Sequence, residues 1–159
     1  MQEILCYRID DRLIHGQIAA VWTKHVKQTR IVVVDDEANR SDLQKQMLRL
    51  ACPPGIKLSV LSIEKTINNF NQKKYDGDKI FMISKNPSTV SALLDRGFAL
   101  PNEIVVGNMA GSPEKRQIRK GFNVTEEDIS HFKKLWEAGI TPYYQMLPTD
   151  LKEELQKIL

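Results

Sequence analysis

The sequence has 159 residues, of which 42% are apolar and 27% charged, with a net charge of +3. That length suits a single domain over residues 1–159 whose core needs no disulfide or metal, and the composition excludes a disordered chain. The positive balance is too small to point to nucleic acid as a partner, and no apolar run approaches the roughly 20 residues needed to span a bilayer.

The N-terminus, Met1-Gln2-Glu3, lacks the basic and then apolar layout of a signal peptide, so the chain is expected to stay in the cytoplasm. The first element, Ile4 to Ile9, reads as a strand. Gly16 to His25 reads as a helix with Ile18, Val21 and Trp22 on one face. Ile31 to Val34 is a β-branched run, as expected of a strand buried on both sides. A helix follows through Leu43, Met47, Leu48 and Ala51, with Ser41 to Gln44 as its capping signal and Pro53-Pro54-Gly55 as its stop. Ile56 to Leu61 is a strand, and Ile63, Ile67 and Phe70 mark the next helix. Lys79 to Ser84 is a strand, Pro87 to Arg96 a helix that ends at Gly97, and Glu103 to Val106 a strand. Gly107 to Val124 is irregular. Thr125 to Asp128 forms a capping box for a helix with Ile129, Phe132, Leu135 and Trp136 on one face, ending at Gly139. Ile140 to Met146 reads as a late strand and Thr149 to Leu159 as a final helix. Strands alternating with helices predict an α/β fold, a mostly parallel sheet with helices on both faces.

In such a sheet the chemistry sits at the carboxyl ends of the strands. The loop after the first strand holds Arg8, Asp10, Asp11, Arg12 and His15, followed by Gly16. His15 stands where a helix begins, and unpaired N–H groups with the positive end of the helix dipole favour an anion there. A neutral imidazole nitrogen can attack phosphorus. Arg8 and Arg12 can hold phosphoryl oxygens by charge-assisted bonds. Asp10 or Asp11 orients the ring, or pairs an arginine when no phosphate is bound. Gly16 admits close approach of a partner. The plain alternative is a surface histidine among solvated ion pairs, which spacing alone does not exclude.

The run Arg8-Ile9-Asp10-Asp11-Arg12-Leu13-Ile14-His15-Gly16-Gln17 resembles the active-site signature of the enzyme IIB components of the mannose/fructose/sorbose family of the sugar phosphotransferase system. The resemblance continues through Trp22-Thr23-Lys24, Val33 to Glu37, Ala51 to Gly55, Lys85-Asn86-Pro87, Val106 to Met109 and Thr125 to Ile129. It implies that a phospho-IIA protein donates a phosphoryl group to His15, at Nδ1. The group then passes to a sugar held by the membrane components IIC and IID. Arg12 matches the arginine of the transferring phosphoryl, while Arg8 and Asp10 match loop positions around the histidine. The resemblance implies no metal and no cofactor at this step, an antiparallel edge strand in the sheet, a chain bound to the membrane only through the permease, and a family in which homodimers occur. One departure is Asn108, where many members carry a second glycine before Met109; Gly-Asn-Met is similar to amino-sugar branches such as N-acetylgalactosamine.

Other positions have readings of their own. Gly107, Asn108 and Met109 follow a strand and can shape a phosphate pocket with backbone N–H groups, or form a simple glycine turn. Asp35-Asp36-Glu37 suits helix N-terminal charge, since the first loop lacks the GxGxxG of a dinucleotide site. Lys115, Arg116, Arg119 and Lys120 read as a solvated face or a docking surface. His25 and His131 lack metal-ligand spacing, and Trp22 and Trp136 belong to apolar helix faces. Cys6 and Cys52 form no metal or redox motif and read as small buried hydrophobes. Two rival classes remain. A receiver-like module would use Asp10-Asp11 but lacks the later Asp and Lys, since Leu61-Ser62 and Val106-Gly107 stand there. A pure interaction module would tolerate loss of His15.

Overall fold

The computed structural model describes residues 2–159. In chain order, strand β1 spans Glu3–Ile9 and helix α1 Gly16–Val26, followed by β2 at Arg30–Val34. Two helices come next, α2 at Asp36–Arg40 and α3 at Asp42–Ala51. Then come β3 (Lys57–Leu61), α4 (Ile63–Asn71), β4 (Lys79–Ser84), α5 (Pro87–Asp95) and β5 (Glu103–Val106). A hairpin of β6 (Arg116–Arg119) and β7 (Phe122–Val124) precedes α6 (Glu126–Glu137). The chain ends with β8 (Thr141–Tyr144), β9 (Glu153–Glu154) and α7 (Leu155–Ile158).

Seven strands form one sheet in the order β3-β2-β4-β1-β5-β8-β9. All pairings are parallel except β8 with β9, where Tyr143 faces Glu154 and Tyr144 faces Glu153. This is the expected parallel α/β sheet with an antiparallel edge. The uninterrupted apolar character of β2 follows from burial on both faces: Ile31 to Val34 are each at most 1% exposed. On one face Tyr7, Ile9, Val32, Met82 and Val106 pack under Val90 and Leu93 of α5 and Phe132 and Leu135 of α6. On the other, Ile31, Val33, Phe81, Ile83 and Val105 pack under Trp22 of α1, Ala38 of α2 and Leu48 of α3.

The expected caps form. Thr125 Oγ1 accepts from Asp128 N while Asp128 Oδ2 accepts from Thr125 N, and Ser41 Oγ accepts from Gln44 N. Asp35 caps the short α2 by accepting from Ala38 N at 2.9 Å, which is the helix-end role read for the acidic run.

Two expectations are corrected. Thr149–Leu159 is not one helix. Asp150 N donates to Leu147 O, Asp150 Oδ2 accepts from Leu147 N, and the turn so made leads into β9, leaving only Leu155–Ile158 helical. The exposed edge of β8 claims Glu153-Glu154 before a helix can start. The irregular stretch after β5 contains the β6–β7 hairpin, turned at Gly121, whose φ is +76°. Among the described residues no helix is long and apolar enough to cross a membrane.

Candidate active site

The sheet places its own crevice. From β1 the chain crosses through α1 on one face to β2, and from β4 it crosses through α5 on the opposite face to β5. β1 and β4 are neighbours, so their carboxyl ends flank a topological switch point. The loop after β1 carries His15, and the residue after β4 is Lys85.

His15 is the N-cap of α1, with extended backbone (φ −154°, ψ 141°) and no capping bond from its ring. The first turn of α1 contains no acidic side chain, so the positive end of the helix is not neutralised locally. Nδ1 of His15 is buried and has no hydrogen-bond partner. Leu13 and Ile14 hold the loop by inserting into the core beneath α1. This costs Leu13 a left-handed φ of +57°, rare for leucine and typical of functional loops. Gly16 follows with φ +47° and open space where a side chain would project. A cavity of about 450 Å³ opens here, bordered by Arg12, His15, Gly16, Met47 and Lys85.

Asp10, 2% exposed, sits under the loop and binds both arginines. Its carboxylate accepts from Arg8 Nη2 at 3.2 Å, from Arg12 N at 3.1 Å and from Arg12 Nε at 3.3 Å. Arg12 remains partly exposed and borders the cavity. Arg8 does not match the phosphoryl-holding role expected for it. Its guanidinium is turned inward, donating to Gln145 O at 2.9 Å and Met146 O at 3.2 Å, and lies 4.6 Å over the Trp22 ring. Burial lowers its proton affinity and Asp10 opposes that shift. Its donors are committed to carbonyls far along the chain, which the local spacing of the loop does not reveal.

Of the two roles expected for the aspartates, Asp10 takes the arginine pairing, while Asp11 takes neither. Asp11 accepts from Asn108 Nδ2 at 2.7 Å and from Ala110 N at 2.6 Å, while its own N–H donates to Asn108 O at 2.9 Å. Of the two readings for Gly107, Asn108 and Met109, the bonds of their N–H groups favour the glycine turn over the phosphate pocket. Gly107 N donates to Ile9 O, Asn108 N points to Asp10 at 3.4 Å, and Met109 N donates to Gly121 O. The carboxylates of the histidine loop already occupy this anion-binding turn, so the segment braces the loop from below. Met109 itself is core, 3% exposed. Lys85 also borders the cavity, and the sequence signal that points to it is a charged residue directly after a strand.

The remaining candidates are structural. Trp22 donates Nε1–H to Met146 O at 2.9 Å, and Trp136 packs against the core. His25 stands edge-on to Trp22, and His131 lies 3.6 Å from Glu127 on the next turn. Arg119 is bound to Glu153 by Nε and Nη2, tying the hairpin to β9, so the basic stretch is partly consumed by the fold. Cys6 and Cys52 are free and half-buried, and burial pushes the Cys6 thiol up to about 12. Among the described residues no three His, Cys, Asp or Glu side chains are grouped to hold a metal ion.

Comparison with known proteins identifies the fold and the family. The structure superposes on the IIBSor domain of the sorbose permease from Klebsiella pneumoniae with a TM-score of 0.93 at 30% identity, covering 98% of this chain and 94% of that one. The fructose-specific EIIB component of Bacillus subtilis is 34% identical over 159 residues, covering 100% of this chain and 97% of that protein. The mannose-specific EIIAB component of Escherichia coli K12 is 37% identical over 152 residues, 96% of this chain, but the chain spans only 47% of that longer protein. Residues 4–159 match the family described as the PTS system sorbose subfamily IIB component, and the chain belongs to that family.

Proposed function

We propose that the chain carries a phosphoryl group on His15 between a phospho-IIA protein and a sugar held by the IIC and IID permease components. The observation that carries this reading is the position of His15: a helix N-cap at the switch point of the sheet, its Nδ1 unpartnered, beside Arg12 at an open cavity. Transfer forms an N–P bond on the acceptor ring as the N–P bond of the donor histidine breaks. The acceptor ring sheds the proton of its other nitrogen and the departing ring takes one up. Helix N–H groups and Arg12 stabilise the oxygens during this passage, the step on which phosphoryl transfer chiefly depends. Attack through Nδ1 requires the ring to turn, since that nitrogen now faces inward; rotation about the Cβ–Cγ bond has broad wells.

A protein donor suits the surroundings. Leu43, Met47 and Leu50 of α3 are 68%, 60% and 87% exposed at i, i+4 and i+7, and Met47 borders the cavity. On this reading the chain is a protein-phosphohistidine–sugar phosphotransferase that works in the cytoplasm and meets the membrane through the permease. The reading needs no metal or other cofactor at His15 and leaves room for a homodimer. The test is peptide mapping after charging with phospho-IIA. An acid-labile, alkali-stable phosphoryl group on the peptide containing His15 supports it; an alkali-labile acyl phosphate on Asp10 or Asp11 overturns it.

A further inference from the structure

The charge around His15 does not balance a phosphoryl group. Arg8 and Arg12 are matched by Asp10 and Asp11, and Asp10 already binds both arginines. The loop is therefore neutral as a unit, whereas a phosphoryl group on a side chain brings about two negative charges. Arg8 is also buried and turned to carbonyls. Only Arg12 of the loop's cations faces the cavity.

Lys85 is a further cation at this cavity. It follows Ser84, the last residue of β4, on the opposite bank of the switch-point crevice from the histidine loop. The two banks are joined directly, since Asp10 N donates to Ser84 O at 2.9 Å. Lys85 borders the same cavity as Arg12 and His15. Its ion pair is a loose one, with Nζ 4.0 Å from a Glu37 carboxylate that is itself 69% exposed. Such a pair contributes little and releases its lysine at small cost.

We propose that Lys85 leaves Glu37 and binds the phosphoryl oxygens at His15, as the second cation of the site. This rests on His15 being the acceptor. A lysine on a flexible stem can follow the phosphoryl group as it passes from donor to acceptor, while Arg12 is held by Asp10.

The test uses phosphoramidate, a small donor whose P–N bond breaks with loss of ammonia, so that no partner protein contributes. Phosphorylation of His15 is followed by intact mass in the wild type, Lys85→Gln, Lys85→Arg and Glu37→Gln. Loss of a charged contact predicts a rate about tenfold lower in Lys85→Gln, with Lys85→Arg restoring most of it. Glu37→Gln keeps the wild-type rate or exceeds it, because it frees the lysine. In the phosphorylated proteins the ³¹P titration midpoint rises in Lys85→Gln, since a neighbouring cation favours the dianion. Equal rates and equal midpoints in wild type and Lys85→Gln overturn the role of Lys85 while leaving His15 in place. A Glu37→Gln protein as slow as Lys85→Gln assigns the effect to the ion pair and also overturns it. A wild type that takes no phosphoryl group on His15 overturns both this inference and the reading on which it rests.

Discussion

The guanidinium of Arg8 fills the space that a side chain at Gly107 would occupy: a Cβ built on Gly107 would collide with Nη2 and Cζ of Arg8. The strand that leads to the histidine loop and the strand beside it are thus locked by one arginine lying flat on a bare backbone. Gly107→Ala forces that guanidinium off its bonds to Gln145 O and Met146 O. Overpacking of this kind costs roughly 1–3 kcal/mol, and urea denaturation should show a loss of that size. Unchanged stability would mean that Arg8 moves aside freely.

Arg8 and Arg12 share Asp10 yet should separate cleanly under mutation. Arg8→Met leaves the Asp10 carboxylate, 2% exposed, without one of its buried partners, and the expected loss of stability is about 3–5 kcal/mol. Arg12→Ala removes a partly exposed pair and should change stability by no more than about 1 kcal/mol. Its effect should appear in the rate of phosphoryl transfer. Parallel thermal melts and transfer assays distinguish the two; an Arg12→Ala protein that transfers at the wild-type rate contradicts the role given to Arg12.

Asp11 is expected to act as a brace. Asp11→Ala releases Asn108 Nδ2 and Ala110 N, both now held by its carboxylate. Amide exchange at Ala110 should accelerate, since among the described residues that N–H donates to Asp11 alone, while amides of β2 stay protected. Unchanged exchange at Ala110 would show that the hairpin alone orders this turn.

Acid should loosen the amino ends of the strands. Burial would raise the Asp78 carboxyl, but bonds from Arg30 Nε at 2.8 Å, Lys57 Nζ at 3.2 Å and Thr29 Oγ1 at 3.1 Å outweigh it and hold the group below its ordinary value of 3.8. A depressed carboxyl contributes stability that is complete above its ordinary value and is lost as pH falls through the folded one. Asp78→Asn should therefore be less stable than wild type at pH 7, with the gap closing in acid. A gap that is constant from pH 7 to pH 3 would assign the effect to packing instead of charge.

Much of this architecture is written in local pattern. The β-branched run of β2, the capping box of α6 and the proline start of α5 each carry a signal within a few residues, and each formed as read. The failures have a common cause. Leu151, Leu155 and Leu159 carry helical spacing, yet pairing with the edge of β8 drew Glu153 and Glu154 into a strand. The strands β6 and β7, of four and three residues, are too short for an alternating pattern to register. At the candidate site, the placing of His15 and Arg12 at one cavity is legible because one loop contains both. The inward commitment of Arg8 is not, because its acceptors are main-chain carbonyls of residues 145 and 146, which carry no side-chain signature. The turn at Gly107–Ala110 looked like a phosphate cradle for a related reason: amides that bind an anion and amides that bind Asp10 and Asp11 read alike in sequence.

The most direct test is the mass of the protein after incubation with phosphoenolpyruvate, enzyme I, the phosphocarrier protein HPr and a matching IIA, for wild type and His15→Ala side by side. The account predicts one acid-labile phosphoryl group on the wild type and none on the variant, with both proteins folded. A phosphoryl group that persists on His15→Ala, or a wild type left uncharged by a IIA shown to be phosphorylated, would contradict it.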